Sequence, residues 1–403
     1  MENRFVCYLD KKKNIGDENA LILQAESLHK IDNRVYDYVI IDECESVLNQ
    51  MTSIGTHKEH LLRNFDILER LIRNARHTVF MDAFIGNRTR DFINSFKTEY
   101  LIEKYTSLPV KRTFDVIDKF SNWVEEIVKD IKEGKKLYIF CTSKNKILTL
   151  LKPRLDMITD KEFLYYHTDS KFKLDNIKED WTNISGGVIT NSVITNGCNF
   201  DVKNVFDRIY IFANASSRNN VRDIIQSHMR VRHINDNHLR LCVDTKRNGI
   251  SYLPVIKSHI DRNFRISELY HKYTLELYDK LPNYERLPVR FRELLINNTM
   301  EHNKSVMQLS EMMLIYLEKC GYTQIQLVKD DMIDENEEEP IMIDEDVEMT
   351  TDYNSIEDID YTTMERLKYQ AYKSREEKEQ LSKFYFKLAI DFNKLEKREM
   401  VEE

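Results

Sequence analysis

Short, largely apolar runs separated by helical patterns organise the first part of the chain. The runs at residues 20–24, 38–41 and 78–81 are each four or five residues long, and a long helical pattern covers residues 58–75. Runs of this length are typical of parallel strands that are buried on both faces of a sheet. The pattern therefore predicts an α/β unit over residues 1–106.

A second series of apolar runs continues this pattern over residues 107–245. Helical segments separate most of the runs, which lie at residues 137–140, 163–166, 187–190, 208–212 and 239–243. Alternation of strands and helices predicts a second α/β unit with its own parallel sheet. Residues 246–329 show helical periodicity without strand alternation, and they predict a small helical domain.

Much of the chain's negative charge is concentrated in one acidic stretch. Residues 330–365 hold sixteen Asp or Glu and no Lys or Arg, so the formal charge of −8 hides a remainder of +8. A basic remainder favours a polyanionic partner, because binding to nucleic acid releases counterions. Residues 330–361 contain few core-forming residues and predict a disordered acidic linker or interaction tail.

The last segment, residues 362–403, returns to a helical period. Its apolar stripe consists of Leu381, Tyr385, Leu388, Phe392 and Leu395. A stripe of about two heptads predicts an amphipathic helix that docks on another surface, in preference to a free-standing coiled coil.

The composition argues against secreted and membrane-spanning classes. The six cysteines are scattered, with no C-x-x-C pair and no histidine at zinc-binding spacing, which is typical of reduced thiols. No apolar run approaches the roughly 18–20 residues of a membrane span, and the N-terminus lacks a signal-peptide pattern. We expect a soluble intracellular protein with no membrane partner.

Adjacent carboxylates end one of the predicted strands. The run Tyr38-Val-Ile-Ile is followed at once by Asp42 and Glu43, and ligands bind at the carboxyl edge of a parallel sheet. In nucleotide motors an Asp at this place holds Mg²⁺ through water, and the next Glu polarises the attacking water. The alternative is an acidic cap that begins the next helix. The residues alone leave both interpretations open.

Two arginines lie on a predicted helix of the second unit, in the segment Gln226-Ser-His-Met-Arg230-Val-Arg232. Arginines brought across a cleft stabilise charge on a transferred phosphoryl group. The alternative is a solvated basic face of the helix. A glycine-containing loop at residues 190–201 directly follows a strand of the same unit, where it either approaches phosphates or simply connects two strands.

The order of these segments resembles the core of superfamily-two helicases, and specifically the herpesvirus-type replication origin-binding proteins. The run Leu23-Gln24-Ala-Glu-Ser27-Leu-His29 resembles their nucleic-acid-contacting block, and Asp42-Glu43 resembles their DExx or DExH box. Residues that resemble the motif coupling hydrolysis to strand movement and motifs IV, V and VI lie at 80–83, 140–144, 195–200 and 226–232. The resemblance covers residues 20–245.

The resemblance implies an α/β fold with two RecA-like parallel-sheet domains, the first one truncated, followed by the helical domain and the acidic tail. It implies an ATP-dependent DNA helicase, a hydrolase that binds replication origins and acts in DNA replication. The expected partners are DNA, as a single strand or an origin duplex, and replication proteins at the C-terminal helix. The expected location is the nucleus or a cytoplasmic replication site.

The resemblance also implies roles for individual residues. Asp42 would bind Mg²⁺ through water and Glu43 would activate the attacking water, so the implied cofactors are ATP and Mg²⁺. The residues implied to act on the nucleotide phosphates are Gln226, Arg230 and Arg232, with Gly197, Arg230 and Asp42 binding the nucleotide. The residues implied to contact nucleic acid are Gln24, Ser27, His29, Ser143, Lys144 and Thr195.

One motif of the family is missing. The family holds the β- and γ-phosphates with G-x-x-x-x-G-K-[ST] after a first strand, and residues 1–403 contain no such segment. We therefore expect a first domain without its phosphate loop and without one strand, which leaves apolar edges that recruit a partner. Smaller departures are Glu45 in the box and Met229 before Arg230. The alternatives to a helicase are a non-catalytic DNA- or partner-binding relative and one half of a split helicase.

Overall fold

The computed structural model shows an α/β fold of parallel strands and connecting helices, as the apolar pattern predicted. It describes residues 5–9, 15, 18–31, 33–97, 99–104, 111–167, 176–194, 198–247, 253–271, 284–325, 357–360, 363 and 380. Most of the predicted acidic segment and C-terminal helix lies outside the described residues. Within the described part of the chain, no helix is long and apolar enough to cross a membrane.

The first unit contains two pairs of parallel strands among the described residues. Strand β1 (Val6–Cys7) pairs with β2 (Leu21–Ile22), and β3 (Tyr38–Ile41) pairs with β4 (His77–Phe80). The helices are α1 (Cys44–Gln50), α2 (Ile54–His57), α3 (Leu61–Asn74) and α4 (Asn87–Asn94), with 3₁₀ turns at Ala25–Ile31 and Lys58–His60. Their apolar faces form one core with the inner face of β3 and β4.

The other face of β3 and β4 is open to solvent. Successive side chains of a strand point to opposite faces, so Tyr38 and Ile40 share this face with Val79 of β4. These three side chains are 68%, 61% and 43% exposed. The first unit therefore presents an exposed apolar sheet face, whereas the sequence predicted apolar sheet edges, which stay a prediction.

The second unit is built on a large parallel sheet. Its strands are β5 (Arg112–Ile117), β6 (Leu137–Cys141), β7 (Phe163–Tyr166), β8 (Gly187–Thr190), β9 (Arg208–Asn214), β10 (His238–Asp244) and β11 (Tyr322–Gln324). Among the described residues they pair in the order β11-β5-β10-β9-β6-β8-β7, and every pair is parallel.

Helices cover both faces of this sheet. They are α5 (Phe120–Lys132), α6 (Lys144–Lys146), α7 (Lys152–Ile158), α8 (Ile177–Asn183) and α9 (Val221–His228), with a π-helical turn at Ile147–Leu151 and a 3₁₀ turn at Ala215–Ser217. All five residues of β6 are buried; Tyr138 and Phe140 pack in one core, and Leu137, Ile139 and Cys141 in the other. Burial on both faces explains why the strand is a continuous apolar run.

Residues 246–329 connect to both units. They form α10 (Lys257–His271), a 3₁₀ turn at Tyr284–Arg286, α11 (Val289–Met307) and α12 (Leu309–Lys319). Helix α11 packs against α1 and α4 of the first unit and against the Ala215–Ser217 turn of the second, while α12 packs on α9. The expectation that this region lacks strands is wrong, because β11 adds an edge strand beside β5.

Two further sequence expectations about elements need correction. The short strand β1 and the strand β5 were not predicted, since neither is an uninterrupted apolar run. Helix α9 ends at His228, so Arg230 and Arg232 do not lie on a helix. Arg230 lies in the turn after the helix, and Arg232 follows two residues later. The Arg230 carbonyl accepts the Phe200 N–H at 2.8 Å, and the Arg232 N–H donates to the Phe200 carbonyl at 3.0 Å.

Candidate active site

The adjacent carboxylates lie at the carboxyl end of β3, as the sequence predicted. Glu43 adopts a left-handed backbone conformation with φ of 49°, which is uncommon for a residue other than glycine. The Asp42 carboxylate accepts the backbone N–H of Glu43 at 3.0 Å. Asp42 is exposed and Glu43 is half-buried. Strained conformations of this kind cluster at functional sites, where surrounding contacts hold them.

Asp82, and not Glu43, caps the helix that follows. The Glu43 side chain makes no capping hydrogen bond at the start of α1. Asp82, just beyond β4, accepts the backbone N–H of Glu45 at 3.0 Å and that of Phe84 at 2.8 Å. By accepting the Glu45 N–H in the first turn of α1, Asp82 performs the task of an acidic cap. The Glu43 side chain is thereby left to face the second unit.

Two side chains of the second unit converge on Glu43. Gln226 Nε2 donates to Glu43 Oε2 at 3.3 Å, and Arg230 Nη2 lies 4.0 Å from Glu43 Oε1. Gln226 is buried, yet its Oε1 has no hydrogen-bond partner among the described residues. The candidate site is therefore a cleft between the units, lined by an acid from one unit and by an amide and a guanidinium from the other.

The surroundings of Glu43 make it a better base than an exposed carboxylate. Burial, followed by the negative charge of Asp82, raises the pKa of Glu43, and the guanidinium of Arg230 only partly offsets this. A carboxylate with a raised pKa takes up a proton more readily, which is the property that a general base requires.

Of the other residues implied to act on phosphates or DNA, Arg232 lies away from Glu43. The Arg232 side chain is exposed and its Nε donates to Asn199 Oδ1 at 2.6 Å, so Arg230 is the arginine that reaches Glu43. Gly197 and Thr195 lie outside the described residues.

The implied nucleic-acid contacts lie in both units. Gln24 is exposed between β2 and the Ala25–Ile31 turn, whereas Ser27 is buried within that turn. His29 stacks on His60 with ring centroids 3.9 Å apart. In the second unit, Ser143 accepts the backbone N–H of Lys146 and begins α6, whose first residue is Lys144.

Sequence reasoning missed a buried ion network that adjoins the site. Glu45 has no exposed side-chain surface; it accepts the Gly86 N–H at 2.6 Å and pairs with Arg88 Nη2 at 2.8 Å. Arg222 Nη2, on α9, lies 3.5 Å from the same carboxylate. Burial opposes ionisation of Glu45, but Arg222 and Arg88 outweigh it and hold its pKa below the usual value. No local pattern signals this, because the partners are far apart in sequence.

The donor set of the cleft suits a hydrated divalent cation and the phosphates it carries. Carboxylate oxygens are the ligands that Mg²⁺ prefers, and Mg²⁺ often binds one or two of them while keeping several waters. No group of three or more His, Cys, Asp or Glu able to hold a metal lies in the described part of the chain. Asp42 and Glu43, with the unpartnered Oε1 of Gln226, therefore fit water-mediated binding.

Comparison with known proteins finds relatives whose names refer to DNA replication. Residues 2–116 match the family model described as origin of replication binding protein. The putative replication origin-binding protein of Acanthamoeba polyphaga mimivirus is 28% identical over 256 residues, which are 59% of this chain and 31% of that protein. The replication origin-binding protein of Human herpesvirus 7 (strain JI) is 29% identical over 59% of this chain and 30% of its own.

A third relative extends further along the chain. The putative helicase/primase complex protein of African swine fever virus (isolate Pig/Kenya/KEN-50/1950) is 26% identical over 305 residues, or 70% of this chain and 28% of that protein. The chain thus spans less than a third of the length of these relatives. The resemblance to the replication origin-binding proteins, first seen in the motifs, is confirmed.

Proposed function

We propose that this chain acts in DNA replication as an origin-binding, helicase-like protein, and that the cleft at Glu43 hydrolyses ATP in response to DNA. The observation that carries the proposal is the convergence of Gln226 and Arg230 on Glu43 from the opposite unit. A base, an amide and a guanidinium that meet across a cleft are the groups that hydrolysis of a phosphoanhydride needs. The origin-binding names of the relatives supply the DNA context.

Each side chain has a role that follows from its position. Glu43 accepts a proton from the attacking water, and Gln226, bonded to Glu43 through its N–H, orients that water with its unpartnered Oε1. Arg230 stabilises negative charge on the transferred phosphoryl group. Asp42 is exposed beside them and would hold Mg²⁺. The cation would supply charge neutralisation on the phosphates.

The decisive experiment is DNA-stimulated ATP hydrolysis by the purified chain, wild type beside Glu43→Gln. The substitution keeps the shape of the side chain but removes the base, so we expect hydrolysis to fall by a factor on the order of 10² to 10⁴. Glu179→Gln, an exposed position on α8, is the matched control and should leave the rate unchanged. If Glu43→Gln hydrolyses ATP at the wild-type rate, Glu43 is not the general base.

A second candidate function is favoured by the open face of β3 and β4. Tyr38, Ile40 and Val79 form an exposed apolar surface beside the acids of the cleft, and parallel sheets are ordinarily covered on both faces. A partner polypeptide that covers this face would make the chain one part of a two-piece enzyme.

Two measurements separate the candidates. Hydrolysis that arises only when a polypeptide with a G-x-x-x-x-G-K-[ST] segment is added supports the two-piece enzyme. Origin-DNA binding without hydrolysis under both conditions supports a non-catalytic binding protein.

A further inference from the structure

A carboxylate from α11 lies between the two units behind the cleft. Glu301 Oε2 is 2.6 Å from Arg88 Nη2 of the first unit. Its Oε1 accepts from both Nε and Nη2 of Arg222 in the second unit, at 3.0 and 2.9 Å. Glu301 therefore connects an arginine of each unit. Its two hydrogen bonds from Arg222 fix the orientation of that guanidinium.

The two arginines also share a second acid. Glu45 pairs with Arg88 and lies 3.5 Å from Arg222, so both guanidinium groups converge on one buried carboxylate. Arg222 also donates to the carbonyl of Phe84 and, at 3.2 Å, to the hydroxyl of Tyr316. Asp82 Oδ1 lies 4.0 Å from Arg222 Nη1. Without Glu301, the acids left near Arg222 among the described residues would be Glu45 and Asp82, at 3.5 and 4.0 Å, so Arg222 would lose the carboxylate that it meets at hydrogen-bond distance.

Arg222 is linked to the cleft by the geometry of α9. Arg222 and Gln226 are four residues apart in a helix, which places them on the same face one turn from each other. Gln226 donates to Glu43 from this face. Any movement that releases Arg222 from the first unit therefore carries Gln226 away from Glu43.

We infer that Glu301 is the positioning residue of the cleft: by bridging Arg88 and Arg222 it holds α9 against the first unit, so that Gln226 meets Glu43. The inference rests on the proposed function for its catalytic consequence, while the structural link is independent of catalysis. Glu301 itself touches neither Glu43 nor Gln226 in any described contact, so it acts only through Arg222.

The structural link is tested by hydrogen exchange on the full chain. In Glu301→Gln, exchange of residues 82–90 and 221–228 should rise about tenfold, while the cores of β6 and β9 keep their protection. Glu293→Gln, an exposed glutamate on the same helix, makes the same charge change and should leave all segments unchanged. Equal exchange in Glu301→Gln and wild type would overturn the inference.

A milder variant covers the case in which Glu301→Gln does not fold. Tyr316→Phe removes one acceptor of Arg222 and keeps the ring, so it should raise exchange in residues 221–228 by a smaller factor than loss of the carboxylate. Unaltered exchange of that helix in Tyr316→Phe would also count against the bridge.

The catalytic consequence is tested by combining variants. Glu301→Gln should lower kcat for ATP about tenfold with KM within twofold, because orientation and not binding is lost. In a Gln226→Ala background the same substitution should have no further effect on kcat, since its route to Glu43 is already gone. If Glu301→Gln lowers kcat a further tenfold in the Gln226→Ala background, Glu301 has a merely structural role and the inference is overturned. If the wild type does not hydrolyse ATP, the proposed function is wrong. Hydrogen exchange in Glu301→Gln then decides by itself whether Glu301 holds α9 against the first unit.

Discussion

Three acids within four residues perform different tasks because their surroundings differ. Asp42 is exposed at the end of β3, Glu43 is half-buried in a left-handed conformation, and Glu45 has no exposed surface. Burial and Asp82 raise the pKa of Glu43, whereas Arg222 and Arg88 outweigh burial and lower that of Glu45. The same functional group is therefore a candidate base in Glu43 and a buried anion in Glu45.

Asp223 provides a test of this electrostatic picture through stability. Burial and the negative charge of Glu301 raise the pKa of Asp223 from 3.8 to about 6. The folded state therefore holds this proton more tightly than the unfolded state, and stability is lost as pH rises from about 4 through about 6. Above that range the ionised side chain costs up to about 3 kcal/mol.

Asp223→Asn should remove that cost. We expect the substitution to increase the free energy of unfolding at pH 8 by about 1–3 kcal/mol, and by about 1 kcal/mol less at pH 5. Urea denaturation at the two pH values measures both quantities. A gain that does not grow between pH 5 and pH 8 would contradict the raised pKa of Asp223.

At this residue scale, the motif residues of the cleft could be predicted but their supports could not. Asp42, Glu43, Gln226 and Arg230 belong to motifs that resemble a family, and the structure brings Glu43, Gln226 and Arg230 together. Arg88, Arg222 and Glu301 are isolated charges in sequence, of the kind usually found on a solvated surface. Only the folded chain shows that they meet in a buried network.

At the scale of elements, strands that are uninterrupted apolar runs could be read from the chain and mixed strands could not. The four-residue runs at 38–41, 163–166 and 187–190 coincide with β3, β7 and β8. Strand β5 was missed because it contains Arg112 and Asp115. Asp115 is buried opposite β10, with an oxygen 3.4 Å from His238 Nε2, and that pairing exists only once the two strands are aligned.

The close approach of β6 and β8 depends on a single glycine. Gly187 has φ of +146°, and a Cβ there would lie 2.1 Å from the carbonyl oxygen of Leu137. Gly187→Ala should therefore force the two strands apart and lower the free energy of unfolding by about 3 kcal/mol or more. The measurement is a urea denaturation curve.

Gly134→Ala is the matched control for this prediction. Gly134 also has a positive φ, of +89°, but a Cβ there has nothing within 4 Å, so only backbone strain of about 1–2 kcal/mol is expected. If Gly187→Ala and Gly134→Ala lower the free energy of unfolding equally, then steric contact with Leu137 is not the reason that β8 requires a glycine.

At the scale of the whole molecule, the two units differ in how they are completed. The seven-stranded sheet is covered on both faces by helices of its own unit and by α12. The β3–β4 pair is covered on one face only, and α11 contributes Phe291 and Leu294 to the core beneath it. The first unit therefore depends on the region after residue 246 for its packing, and the cleft between the units depends on the same helix through Glu301.

The charge of the whole chain leads to a prediction about DNA binding. Outside residues 330–365 the chain carries a formal charge of +8, so DNA affinity should fall steeply with salt through counterion release. Lys144 lies at the start of α6, after the carboxyl end of β6, among the residues expected to contact the DNA backbone. Lys144→Gln should weaken binding about equally for all sequences and reduce the slope of log affinity against log salt by about one unit.

Lys132→Gln is the control for Lys144, because Lys132 is an exposed lysine at the end of α5. Both substitutions remove one positive charge, so a purely global effect of charge would lower affinity equally in the two variants. A contact with phosphate would change the salt slope only in Lys144→Gln, since only a lysine that displaces counterions contributes to that slope. Fluorescence anisotropy with labelled single-stranded and duplex DNA over a salt series makes the comparison. Identical slopes for wild type and both variants would remove Lys144 from the DNA path and leave Ser143 and the segment from β2 through the Ala25–Ile31 turn as the described candidates.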